Sequence, residues 1–147
     1  MSTSYSFTVT SPKPADEVFD YIADLRNLPE WDPETEATEQ VSEGDAVRVG
    51  ATFRVDVRRF GLTASLNYAL VELEHPRRIV ARGTSNAVDG VDTFTISPTA
   101  DGGSEVAYAT EIELKGVSKI AKPIAAAITN RSGEKTRAGL EQTLNRA

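Results

Sequence analysis

The chain has 147 residues, 22 acidic side chains against 16 Lys and Arg, a formal charge of −6 and no cysteine. That length suits one domain over residues 1–147, burying roughly 68–70% of its unfolded surface without a covalent staple. The composition excludes a disulfide framework, a thiolate nucleophile and a sulfur-held zinc. With basic residues dispersed apart from pairs such as Arg58–Arg59 and Arg77–Arg78, it also leaves no stripe to neutralise phosphates, so no nucleic-acid partner is expected.

The N-terminus "MSTSYSFTVT" lacks the basic flank and apolar run of a signal peptide, and no stretch approaches the roughly 18 apolar residues of a membrane span. A soluble, cytoplasmic protein without stable membrane insertion is expected. Tyr5, Phe7 and Val9 alternate with Ser and Thr, the period of a half-buried strand, which ends at Ser11-Pro12. "PADEVFDYIADLRNLPEW" then places Val18, Phe19, Ile22 and Leu25 at helical spacing, with Asp16 and Glu17 in the first turn to complement the helix dipole. Asn27 and Pro29 are expected to close this helix. The only tryptophan, Trp31, follows between two prolines among carboxylates.

From about residue 34 to 114 the pattern is strand, turn, strand: a segment up to Val41, then "GATFRVDVRRF", "LTASLNYALVELE", "RRIVARGTS", "GVDTFTIS" and "SEVAYATEIEL". The separators "EGD", "FG", "HP", "NAVDG" and "TADGG" are rich in turn-forming residues, and such short connections imply antiparallel pairing. Phe53, Val55 and Val57 alternate with Arg54, Asp56 and Arg58, so one face is covered and the other wet. After Gly116 the remaining residues read as one long helix, with Pro123 at its start or first turn. It carries two stripes. Ile120, Ile124 and Ile128 lie on one side; Ala126, Thr129, Gly133, Thr136, Leu140 and Leu144 lie roughly opposite unless Gly133 kinks the helix. The fold class is α+β.

In this order of elements, "SPKPADEVFDYIADLRNLPEW" resembles the opening of the START-like (SRPBCC) superfamily, in particular its polyketide cyclase/dehydrase and lipid-transport branch. "VGATFRV", "ALVELEHPRRIV" and "GGSEVAYATEIELKG" are similar to that family's later strands, so the resemblance spans nearly the whole chain. It implies a helix-grip fold: a curved antiparallel sheet of about seven strands wrapped on the C-terminal helix, two short helices after the first strand, and a cavity between sheet and helix. Trp31 then sits in the second short helix and lines one cavity end, or else packs that corner onto the strands.

Chemistry is sparsely signalled. His75, the only histidine, stands in the turn "EHPRR" with no evident partner, and no metal-ligand spacing or Gly-rich phosphate loop occurs. No cofactor or metal is expected. Among the carboxylates Asp92, Glu72 and Glu111, Asp92 shares a strand face with Phe94 and Ile96 and is the first candidate for a buried acid or base, the alternative being a solvated strand end. Thr129, Gly133 and Thr136 are too small to fill the space beneath the sheet, unless helix and sheet approach closely. Phe53, Val55, Tyr68, Leu70, Phe94, Ile96, Val106, Tyr108 and Ile112 are expected opposite them, with Leu140 completing the wall.

The expected function is binding or transport of a small hydrophobic molecule, such as a lipid, a polyketide-like aromatic or an isoprenoid, by a monomer or homodimer. Two alternatives remain: a cyclase or dehydratase using a buried carboxylate or tyrosine, and an interaction module using the isoleucine stripe.

Overall fold

The computed structural model describes residues 2–59, 62–115 and 122–146, with the backbone alone at 59, 62 and 122–128. The isoleucine stripe, the Ala126 side chain and the "FG" separator therefore lie outside the described residues.

Strand β1 (Ser2–Ser11) is followed by helix α1 (Ala15–Ala23), a 3-10 turn (Leu25–Asn27) and the one-turn helix α2 (Leu28–Trp31). Strands β2 (Thr35–Gln40), β3 (Thr52–Arg59), β4 (Leu62–Glu74), β5 (Arg78–Thr84), β6 (Val88–Pro98) and β7 (Ser104–Leu114) precede the long helix α3 (Lys122–Leu144). All seven strands form one antiparallel sheet in the order β1-β7-β6-β5-β4-β3-β2. The helical corner carries the chain from one edge of the sheet to the other, and the remaining strands return hairpin by hairpin until β7 pairs with β1. Register shifts between Thr35 and Ala37 and between Leu70 and Glu72 mark bulges, which increase local bend and twist.

The elements follow from local chemistry. Pro14 stands extended as the cap of α1, Asp16 and Glu17 fill its first turn, and Val18, Phe19, Ile22 and Ala23 are buried on one face. The helix ends earlier than its periodicity predicts: Asp24 leaves helical geometry and Leu25 belongs to the 3-10 turn. Nor does Pro29 close a helix; it occupies the first turn of α2, where its missing N–H has no helical partner to lose. Strand β6 also starts within the predicted turn "NAVDG", because Val88 to Gly90 already pair with β7.

Helix α3 runs unbroken through Gly133. Its buried residues Thr129, Ser132, Gly133, Thr136, Leu140, Thr143 and Leu144 form one stripe. Gly133 permits close approach: a Cβ there would lie 2.2 Å from Cδ1 of Tyr5 on β1. Gly139 does the same six residues on, where a Cβ would lie 2.1 Å from the Trp31 carbonyl oxygen. At its far end α3 is fastened to β1, Ser11 Oγ donating to the Leu144 carbonyl at 2.7 Å and Asn145 Nδ2 to the Thr10 carbonyl at 2.8 Å.

Candidate ligand-binding cavity

Between α3 and the concave face of the sheet lies a cavity of about 360 Å³. Period-2 alternation sends Tyr108, Thr110 and Ile112 of β7 and Gly90, Asp92 and Phe94 of β6 to this face, while Glu111 points out. The helical corner adds Leu25, Leu28, Trp31 and Asp32, and α3 adds Thr129, Ser132, Gly133 and Thr136. Of the residues expected in the wall, Trp31, Val55, Tyr68, Asp92, Phe94, Tyr108, Ile112, Thr129, Gly133 and Thr136 line it. Phe53, Leu70, Ile96, Val106 and Leu140 do not: they are buried in the solid core beyond the cavity. Strand parity identifies the inner face of a strand but not how far along it the void extends.

Trp31 is 3% exposed and stands edge-on to Phe94, ring centroids 6.0 Å apart. Phe94 in turn packs against Tyr108 at 4.9 Å. The indole Nε1 and the Ser132 hydroxyl, both buried, have no hydrogen-bond partner among the described residues. Asp32 next to Trp31 accepts from the Glu34 backbone N–H at 3.1 Å through Oδ1 and from Thr35 Oγ1 at 2.9 Å through Oδ2, while the single proton of the Thr136 hydroxyl is shared between the Ser132 carbonyl at 3.1 Å and Asp32 Oδ1 at 3.4 Å. These bonds tie the helical corner to α3. In sequence Asp32 reads as an ordinary turn residue, and nothing in its spacing signals burial.

The polar centre of the wall is Asp92. Tyr108 donates its hydroxyl to Oδ1 at 3.0 Å, and Tyr68 donates to Oδ2 at 3.3 Å. Tyr108 reaches it from the adjoining strand β7, but Tyr68 lies two strands away on β4, opposite Gly83 of β5. A Cβ at Gly83 would lie 2.6 Å from Tyr68 Cζ, so this glycine lets the phenol ring lie across β5 to reach Asp92. Burial, then the neighbouring Asp92 charge and Tyr68, push the Tyr108 hydroxyl well above the ordinary tyrosine range, outweighing the Thr110 bond that pulls the other way. Among the described residues the wall holds two carboxylates, Asp32 and Asp92, and no Lys, Arg or His.

The other chemical candidates lie elsewhere. Glu72 is exposed and pairs with Arg78 at 3.2 Å, and Glu111 is exposed on the outer face. His75 is also outside the wall, but it has the partners its turn did not suggest: Nε2 lies 3.2 Å from Asp20 Oδ1, and the ring meets Phe19 edge-on at 4.7 Å. The described residues contain no group of His, Asp and Glu suited to a metal, and no helix among them is long and apolar enough to cross a membrane.

The family model described as polyketide cyclase / dehydrase and lipid transport matches residues 2–145. Among solved structures, a START superfamily protein from Mycobacterium smegmatis is similar with a TM-score of 0.81 at 17% identity, covering 96% of each chain. The Zhui aromatase/cyclase from a Streptomyces strain superposes with a TM-score of 0.78 at 17% identity, over 98% of this chain and 92% of that one. The two-domain ARO/CYC protein BexL gives 0.74 at 14% identity, over 99% of this chain and 51% of that one. At these identities the likeness is one of fold. No curated protein matches the chain in sequence.

Proposed function

The chain belongs to the polyketide cyclase/dehydrase and lipid-transport family, and from that premise we propose that it binds and carries a small hydrophobic molecule in the cavity beneath α3. The observation that carries this reading is the void of about 360 Å³ walled chiefly by apolar and aromatic side chains with a few convergent polar groups, the composition of ligand sites in general. Affinity comes from removing apolar ligand surface from water, at roughly 25 cal/mol per Å². Trp31, Phe94 and Tyr108 give flat, rigid surface to an aromatic or polyene body, and Asp92 with its two tyrosines orients the head.

The Asp92 cluster is also the one observation that favours a cyclase or dehydratase, since a buried carboxylate flanked by phenols is suited to moving protons on a carbonyl-bearing substrate. Against it, both phenol protons are directed to Asp92, and the raised Tyr108 hydroxyl holds its proton tightly. Carriage without transformation is therefore the reading adopted.

Native mass spectrometry of protein purified from its own host tests it. A small molecule should leave on activation and be recovered chemically unchanged after incubation with the protein. Protein that arrives empty and takes up no hydrophobic probe would contradict carriage, and conversion of the released molecule by fresh protein would establish the enzyme instead.

A further inference from the structure

Two polar groups of the cavity wall have no partner among the described residues. The Trp31 indole Nε1 and the Ser132 hydroxyl are buried, in residues only 3% and 8% exposed. Buried donors are almost always paired, and one left unpaired costs the full desolvation of the group. The indole N–H donates and cannot accept, so only a lone pair brought to it satisfies it. Both residues line the void, which is where such a partner has room to sit. The indole is also held in place: its ring stands edge-on to Phe94, and its backbone is pressed against α3 at Gly139. Thr136, one helical turn after Ser132, shares its hydroxyl proton between the Ser132 carbonyl and Asp32, the residue following Trp31. The two unpaired groups therefore border the same end of the cavity, where α2 meets α3.

We propose that this end of the cavity is an acceptor subsite, in which the bound molecule sets a neutral carbonyl oxygen, of a ketone, quinone or ester, against the Trp31 indole N–H with the Ser132 hydroxyl as second donor. The inference rests on the ligand-binding reading and deepens it by naming the ligand group that this corner takes. A carbonyl oxygen carries two lone pairs for two donors and brings no proton that would itself need an acceptor. A carboxylate would need a cation to offset its desolvation, and the described wall holds no Lys, Arg or His. A ligand without an acceptor displaces whatever water reaches the indole and leaves the N–H unpaired.

Calorimetric titration at neutral pH with naphthalene, 2-acetylnaphthalene, 2-isopropenylnaphthalene and 2-naphthoate tests this. The isopropenyl probe has nearly the shape of the acetyl one, with a CH2 in place of the oxygen. The acetyl probe should bind at least about fivefold tighter, the order expected when a buried donor gains its acceptor. Trp31 is the only tryptophan, so the protein has one indole N–H resonance to follow. In the wild type it should move further downfield with the acetyl probe than with the isopropenyl probe.

Trp31→Phe keeps an aromatic ring at the corner and deletes the N–H, and the gap between the two probes should close. Ser132→Ala should narrow it. If the phenylalanine variant does not fold, the wild-type indole resonance decides in its place. Equal binding of the acetyl and isopropenyl probes would mean that a resident water satisfies the indole, and it would overturn the inference while leaving the cavity a ligand site. A gap that survives Trp31→Phe, an indole resonance that moves alike with both probes, or tightest binding of 2-naphthoate would overturn it in the same way. Failure of every probe to bind, naphthalene included, would remove the ligand-binding reading itself, and the inference with it.

Discussion

Helix α3 meets the sheet in two unlike ways. Toward its C-terminal end it inserts Leu140 and Leu144, at most 1% exposed, into one packed cluster with Val9, Phe53, Leu70, Ile79, Ile96 and Val106. Toward the middle it presents Thr129, Ser132, Gly133 and Thr136, and the cavity opens beneath them, with Gly133 also pressed against Tyr5 of β1 at the edge of the void. A fully buried leucine contributes about 1.5–3 kcal/mol over an exposed one, and the small residues forgo most of that. The solid half, with α3 fastened to β1 through Ser11 and Asn145, holds the fold; the hollow half keeps space at the expense of packing. Stability and ligand capacity therefore sit in separate stretches of the same helix and should separate under mutation.

The largest effect belongs to the solid half. Leu140→Ala should cost about 2–5 kcal/mol by chemical denaturation, the range for a leucine removed from a packed core. A cost below about 1 kcal/mol would mean that this end is not the tighter one. Next is Gly133, where the small residue serves close packing. Gly133→Leu should overpack the α3–β1 contact against Tyr5 and cost about 1–3 kcal/mol; a variant as stable as the wild type would show that the helix can stand off from β1.

Ile112→Trp sharpens the comparison from the opposite side. Its added atoms enter existing space and it keeps the strand preference of an aromatic residue. Stability should change by less than about 1 kcal/mol, since overpacking penalties arise where the core is full, while naphthalene binding falls at least about tenfold. Loss of stability with retained binding would place the space elsewhere.

The smallest effect concerns the corner that carries Trp31. Tyr21 of α1 donates to Glu30 of α2 at 3.0 Å, and burial together with that carboxylate pushes its hydroxyl up to about 12. A folded-state value raised above the unfolded value of 10.0 stabilises the protein fully below pH 10 and is lost as pH rises through about 12. Tyr21→Phe should therefore flatten the alkaline fall in stability between those values, and an unchanged alkaline limb would remove Tyr21 from the linkage.

Much of this was legible in the sequence because two periods carry it. Alternation in "FRVDV" and "SEVAYATEIEL" gives strands, inner faces and the inward placement of Asp92, and the order of turns gives antiparallel neighbours. What alternation does not encode is position along the strand, so Ile96 and Val106, though on the inner face, lie one inner position beyond a wall that begins at Phe94 and Tyr108. The Tyr68–Asp92 bond was hidden for a different reason. It depends on the absence of a side chain at Gly83, which in sequence is indistinguishable from a glycine tolerated near a strand end. Asp32 and Ser132 were missed because short polar residues beside prolines or in exposed-looking helix read as solvated, and only the packing of α2 on α3 buries them.

The most direct test of the account is chemical-shift mapping of the protein during titration with naphthalene. The account predicts saturable shifts at the Trp31 indole N–H, Ile112 and Thr129, with Leu144 and Ile79 unmoved. Shifts confined to the outer face of the sheet, or spread equally through the Leu140–Leu144 end, would contradict a ligand site in the hollow half.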